Sequence, residues 1–104
     1  MPAQVHIGDV GTVFEATILD QDNDPVDLSA STVRQLFFRK PNGIIVPKVA
    51  VLSGSGTDGK IRWVTTVTSD LDVTGLWEWQ GYVEVGGGAW HSDVLSFRVH
   101  RNLA

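Results

Sequence analysis

An all-β sandwich is the fold class this sequence predicts, and three observations predict it. Clusters of Gly, Asn, Asp and Pro recur at roughly ten-residue intervals between short runs rich in Val, Ile, Thr and aromatic residues. Apolar and polar residues alternate with a period of two, most strictly from Gly75 to Val85. No segment shows the 3.6-residue apolar spacing of a long amphipathic helix. The 104 residues suit one domain with a single two-layer core, spanning 1–104. The absence of cysteine rules out a disulfide or a thiolate metal site as support.

The elements follow in order. Gln4 to Ile7 reads as a short opening strand closed by Gly8-Asp9, and Gly11 to Asp20 as the next, with Phe14, Ala16 and Ile18 inward. Asp20 to Pro25 is a polar turn, and Val26 to Thr32 a loop plugged by Leu28. Val33 to Lys40 and Ile44 to Leu52 are strands joined by the Pro41-Asn42-Gly43 turn, where positive φ is expected. Ser53 to Gly59 reads as a flexible turn, and Lys60 to Val67 as a strand carrying Trp63. Ser69 to Gly75 crosses between sheets with one helical turn at Leu71. Gly75 to Val85 then pairs with Ala89 to His100 through Gly86-Gly87-Gly88. The sum is seven or eight antiparallel strands.

The longest strand also specifies which sandwich. Asp72-Val73-Thr74-Gly75-Leu76-Trp77-Glu78-Trp79 lies close to the D-x-G-x-Y-x-C pattern that opens strand F of immunoglobulin domains. Trp77 would take the corner and Trp79 the place of the cysteine. The expected core is Phe14, Ile18, Trp63, Trp77, Trp79 and Phe97, in an immunoglobulin-like antiparallel sandwich.

Several function classes fall away on chemistry. The net charge of −4 comes without a Lys/Arg cluster, so no stripe tracks a nucleic-acid backbone. No apolar run approaches the ~20 residues that cross a bilayer, and Met1 to Val5 lacks a leader's basic and apolar regions. Gly54 to Lys60 matches G-x-x-x-x-G-K, but Ile61 stands where magnesium needs Ser or Thr, and the lysine opens a strand. Asp20, Asp22 and Asp24 share the first spacings of a calcium loop, yet Pro25 replaces its glycine. A solvated turn is the default there, with a weak surface calcium site as the alternative. His6, His91 and His100 have no metal-ligand spacing, and His91-Ser92-Asp93 cannot form a relay because neighbours on a strand face opposite sides. No catalytic residue, cofactor or metal is expected. Trp90, after the triple glycine, is the expected exposed aromatic.

Three segments together resemble a known family. They are Gly8-Asp9-Val10-Gly11-Thr12-Val13-Phe14; Pro25-Val26-Asp27-Leu28-Ser29 with Lys40-Pro41-Asn42-Gly43; and Gly75-Leu76-Trp77 with His91-Ser92-Asp93 running to Phe97 and Val99. Their order is similar to that in the N-terminal immunoglobulin-like domain of the baseplate upper protein family of tailed phages. The resemblance implies a non-enzymatic virion protein of the baseplate, tail tip or fibre-attachment region, made in the host cytoplasm. It would act as a homo-oligomer docking on other tail or baseplate proteins, without nucleic acid or membrane. Expected interface residues are Val5 and His6 on the opening edge, Asn42 on its hairpin, and Gly87, Trp90 and His91 at the glycine tip. A capsid or neck accessory protein is a close alternative. A carbohydrate-binding module for host adhesion is a distant one that needs exposed, coplanar aromatics.

Overall fold

The structure is a computed structural model that describes residues 5–103. Among the described residues nine strands form, in order β1 (Val5–His6), β2 (Val13–Thr17), β3 (Val33–Arg39), β4 (Ile45–Val49), β5 (Val51–Leu52), β6 (Lys60–Val64), β7 (Gly75–Val85), β8 (Gly88–His91) and β9 (Leu95–His100). A single 3₁₀ turn, Thr68–Leu71, precedes β7. Gln4, the first residue of the expected opening strand, lies outside the described residues.

Two sheets face each other. The larger runs β1-β9-β7-β3-β4, with β8 also paired to β7, and the smaller runs β2-β6-β5. This is the strand arrangement of an immunoglobulin-type sandwich, β3, β7 and β9 standing as its C, F and G strands. Two features depart from the sequence expectation. The larger sheet is mixed, because β1 runs parallel to β9 with Val5 opposite Val99, while the smaller is antiparallel throughout. The strand count rises to nine because two runs that read as continuous are broken. At Ala50 the chain leaves the large sheet and joins the small one, its amide still donating to the Arg34 carbonyl at 3.0 Å. At Ser92 the side-chain hydroxyl accepts the Gly81 amide at 2.8 Å, taking the place of a backbone carbonyl and separating β8 from β9.

An aromatic cluster joins the layers. Phe14 and Trp63, opposite each other on β2 and β6, meet Phe38, Trp77, Trp79 and Phe97 of the large sheet. Trp79 stacks on Phe38 at 6.0 Å and meets Phe14 edge-on at 5.5 Å across the sandwich. Phe14, Ile18, Trp77 and Trp79 are buried, while Trp63 and Phe97 are partly buried against them. Trp77 donates its indole N–H to the Val73 carbonyl at 2.9 Å. That bond reproduces with tryptophan the corner that tyrosine makes in immunoglobulin domains. Beside the cluster the sheets approach closely, and a Cβ on Gly81 would lie 3.0 Å from Ala16 Cβ.

The loops are better tied than their composition suggests. The Ser53–Gly59 segment, expected to be a flexible turn, packs on the Leu28 loop: the Gly56 carbonyl accepts the Leu28 amide at 2.8 Å. At Gly59, φ is +73° and an added Cβ would fall 2.6 Å from the Ile18 carbonyl oxygen. In the Pro41-Asn42-Gly43 turn only Gly43 takes positive φ, because Lys40 to Gly43 closes as a turn with Pro41 first and the glycine last. The 3₁₀ turn is clamped to β4 by Lys48 on Asp70 at 3.1 Å, and Lys40 reaches Asp72 at 2.9 Å.

Burial raises the Asp70 carboxyl, but the Thr66 and Val67 amides and the Lys48 ammonium together hold it below its ordinary value. A lowered folded-state pKa contributes stability that is complete above the unfolded value of about 3.9 and is lost as pH falls through the folded value. Asp70→Asn should therefore lower stability at pH 7 and flatten its decline in acid, as read by denaturant midpoints across pH 2–7. Trp79→Ala should cost about 3–5 kcal/mol from the cavity in the cluster. Trp77→Phe should cost about 1–3 kcal/mol by leaving the Val73 carbonyl unpaired. Both are measurable by urea unfolding.

Candidate docking surface

Strand alternation decides which side chains leave the core. On β3, Leu36 and Phe38 turn inward, so Gln35, Phe37 and Arg39 line the outer face of the large sheet. On β7 the outer set is Leu76, Glu78, Gln80, Tyr82 and Glu84. The registers place Arg39 opposite Glu78 and His91 opposite Tyr82, on the same face. A row of rings results, with Phe37 and Tyr82 at 6.1 Å and Tyr82 and His91 at 4.9 Å between centroids.

Next to this row lies a groove of about 210 Å³ lined by Phe37, Arg39, Ile45, Glu78, Gln80 and Val94. The Ser92 break turns Val94 outward to 57 % exposure, and Ile45 on the edge strand is 60 % exposed. Arg39 and Glu78 form an ion pair beside the groove, and Gln80 donates to the Ser92 carbonyl at 2.9 Å. Tyr82 donates to the Glu84 carboxylate, which together with slight desolvation and that negative charge raises the phenol above its usual value. The surface offers aliphatic area, a row of tilted rings, and the charges of Arg39, Glu78 and Glu84. That chemistry suits protein contact, and it supplies no nucleophile paired with a base.

The expected interface residues do not gather in one place. Val5 is a correction: its side chain is only 3 % exposed, because the parallel pairing with Val99 turns it into the core. His6 lies beside His100, ring centroids 5.7 Å apart, at one end of the large sheet. Asn42 and Gly87 are both exposed, but their turns adjoin opposite ends of β7, some 30 Å apart at about 3.3 Å per residue. Trp90 is also a correction. It faces inward opposite Val83, is partly buried, and lies over Gly88, where a Cβ would come 2.4 Å from its ring. Only His91 reaches the outer ring row.

Sequence reading assigned Phe37, Ile45 and Val94 no role. The run Leu36-Phe37-Phe38 carried the one available signal, since of three consecutive apolar strand residues the middle one must face the other side. In the Asp20–Pro25 turn, Asp20 Oδ1 accepts the amides of Asp22 and Asp24 at 2.8 and 3.0 Å, the hydrogen bonds of the expected polar turn. Among the described residues no group of three His, Asp or Glu side chains could hold a metal ion. Nor is any helix among them long and apolar enough to cross a membrane.

No protein-family model matches the chain. No curated protein matches it either. Among solved structures, the chain is similar to the N-terminal domain of phage TP901-1 ORF48, with a TM-score of 0.69 and 13 % sequence identity. The match covers 96 % of this chain and 85 % of that one. The shared property is the fold, an all-β sandwich.

Replacing Ile45 or Val94 by Ser should change stability by less than about 0.5 kcal/mol, because both side chains already sit in water. The same changes should weaken any complex seated on the groove. Thermal unfolding and pull-down with the same variants separate the two effects.

Proposed function

We propose that this protein is a non-enzymatic structural component of a phage tail, in the baseplate, tail-tip or fibre-attachment region. The observation that carries the reading is the fold shared over nearly the whole chain with a domain of a phage protein. The G-D-x-G, P-V-D-L-S and H-S-D segments support it from the sequence side. In this reading the rigid sandwich presents its outer sheet face to neighbouring tail proteins and to further copies of itself. Its chemistry is packing and hydrogen bonding, with no bond made or broken.

The carbohydrate-binding alternative draws no support from the tryptophans. Trp77 and Trp79 are buried, and Trp63 and Trp90 pack against the core. Stacking on a sugar ring needs a face open to solvent.

Purified virions of the encoding phage provide the test. Mass spectrometry should detect this chain, and immunogold labelling should place it at the distal end of the tail. Absence from virions, or label confined to the head, would sink the proposal. Intrinsic fluorescence should resist acrylamide quenching and stay unchanged on glycan titration; a glycan-dependent shift would favour adhesion instead.

A further inference from the structure

Each sheet edge was built differently, and one is left without protection. The Lys40 amide donates to the Ile44 carbonyl and the Ala50 amide to the Arg34 carbonyl, so alternation aims the backbone groups of Ile45, Pro47 and Val49 away from β3. Pro47 has no N–H to offer, which interrupts a ladder on the β4 edge. β1 and β5 have two residues each, and the β8–β9 edge is broken at Ser92. The β2 edge has none of these devices.

On β2, the Thr65 amide donates to the Thr12 carbonyl at 3.0 Å and the Ile18 amide to the Gly59 carbonyl at 2.7 Å. With the register, these bonds turn Thr12, Phe14, Ala16 and Ile18 toward β6. The N–H and C=O groups of Val13, Glu15 and Thr17 therefore point away from the sheet, and among the described residues no hydrogen bond reaches them. This is a five-residue strand without Pro, Gly or Lys, and its β-branched Val13 and Thr17 suit a paired strand.

A second observation points to what is missing. The small sheet has three strands against the larger sheet's five across, and among the described residues the inner face of β9 is covered at Val99 but not fully at Leu95 and Phe97. Leu95 and Phe97 lie opposite Trp79 and Trp77 and share their inward face. Yet Leu95 is 42 % exposed, and Phe97, 4.9 Å from Phe14, is only partly buried. At the end of β2 a cleft of about 130 Å³ separates Thr17 and Leu19 from His91 and Asp93. A strand added beside β2 would lay alternate side chains on Leu95 and Phe97 and run into this cleft.

Charge selects the occupant. The one charged side chain on the edge is Glu15, opposite Arg62 of β6 on the solvent face. Two-fold pairing of β2 with a second copy about Glu15 would set carboxylate against carboxylate, which is destabilising. A Lys or Arg on the incoming strand would instead complete an alternating row. We infer that the β2 edge, Val13 to Thr17, accepts an extended segment of a different protein chain by strand addition. That segment carries apolar residues on its inner face and a basic residue facing Glu15. The inference uses nothing from the outer sheet face, so its failure would leave the docking reading above intact.

The test is amide exchange by NMR on the full chain, with a synthetic peptide that alternates valine and threonine around one central arginine. Val13, Glu15 and Thr17 amides should exchange rapidly in the free chain and become protected with the peptide. A glutamate-centred peptide should protect them less. Thr17→Pro removes an outward N–H without touching the β6 ladder, and should weaken binding about fivefold or more while Phe14 and Ala16 stay protected. Glu15→Lys should reverse the preference between the two peptides, which carries the test if the proline variant does not fold. Three outcomes would overturn the inference: no peptide-dependent protection, protection in the free chain at every concentration, or protection that rises with protein concentration alone. The second would assign the edge to the chain's own N-terminal segment, the third to a second copy.

Discussion

Trp79 stacked on Phe38 and set edge-on against Phe14 is the contact through which the two sheets hold each other. In immunoglobulin domains an inter-sheet cystine performs this task, with an aromatic packed beside it. Here aromatic bulk does so without covalent help. Rings are wide, and the chain makes room for them elsewhere: Gly81 sits two residues beyond Trp79 and lets the layers close onto Ala16. The Trp77 corner then fixes how the chain enters β7, the strand on which the large sheet is assembled.

A consequence is that β7 organises both the interior and the surface. Its inward residues fill the core, and its outward residues, Glu78 through Glu84, form the middle of the outer face. One edge pairs with β3 along seven residues; the other is divided between β9 and β8 by the Ser92 break. That break turns Val94 out into the groove. A buried serine hydroxyl thus shapes a solvent-facing feature, which ties the candidate docking surface to the packing of the core.

The edges tell a related story. A sandwich has unpaired strands by necessity, and soluble proteins blunt them. This chain does so at β4 with Pro47 and at the β8–β9 side with the Ser92 break, while β2 runs five residues without proline, glycine or lysine. The incomplete cover over Leu95 and Phe97 lies beside that same unprotected strand. The coincidence has a simple physical reading, because one added strand would satisfy both the backbone and the apolar surface.

Local chemistry determined much of this protein before any tertiary contact was considered. Period-two alternation, turn residues and the D-x-x-G-x-W-x-W segment carry the all-β class, the inward roles of Phe14, Trp77 and Trp79, and the turn at Leu71. These properties depend on backbone geometry and near neighbours, which sequence encodes directly. What only the tertiary structure decided depends on partners far along the chain. Val5 is buried because Val99 lies beside it in parallel, and Trp90 folds inward because Gly88 leaves room. Ile44 to Leu52 divides between sheets at Ala50, and the groove appears where Phe37, Ile45, Gln80 and Val94 converge from separate segments. Alternation tells which residues share a face of one strand; only pairing between strands tells which faces meet and which edge is left open.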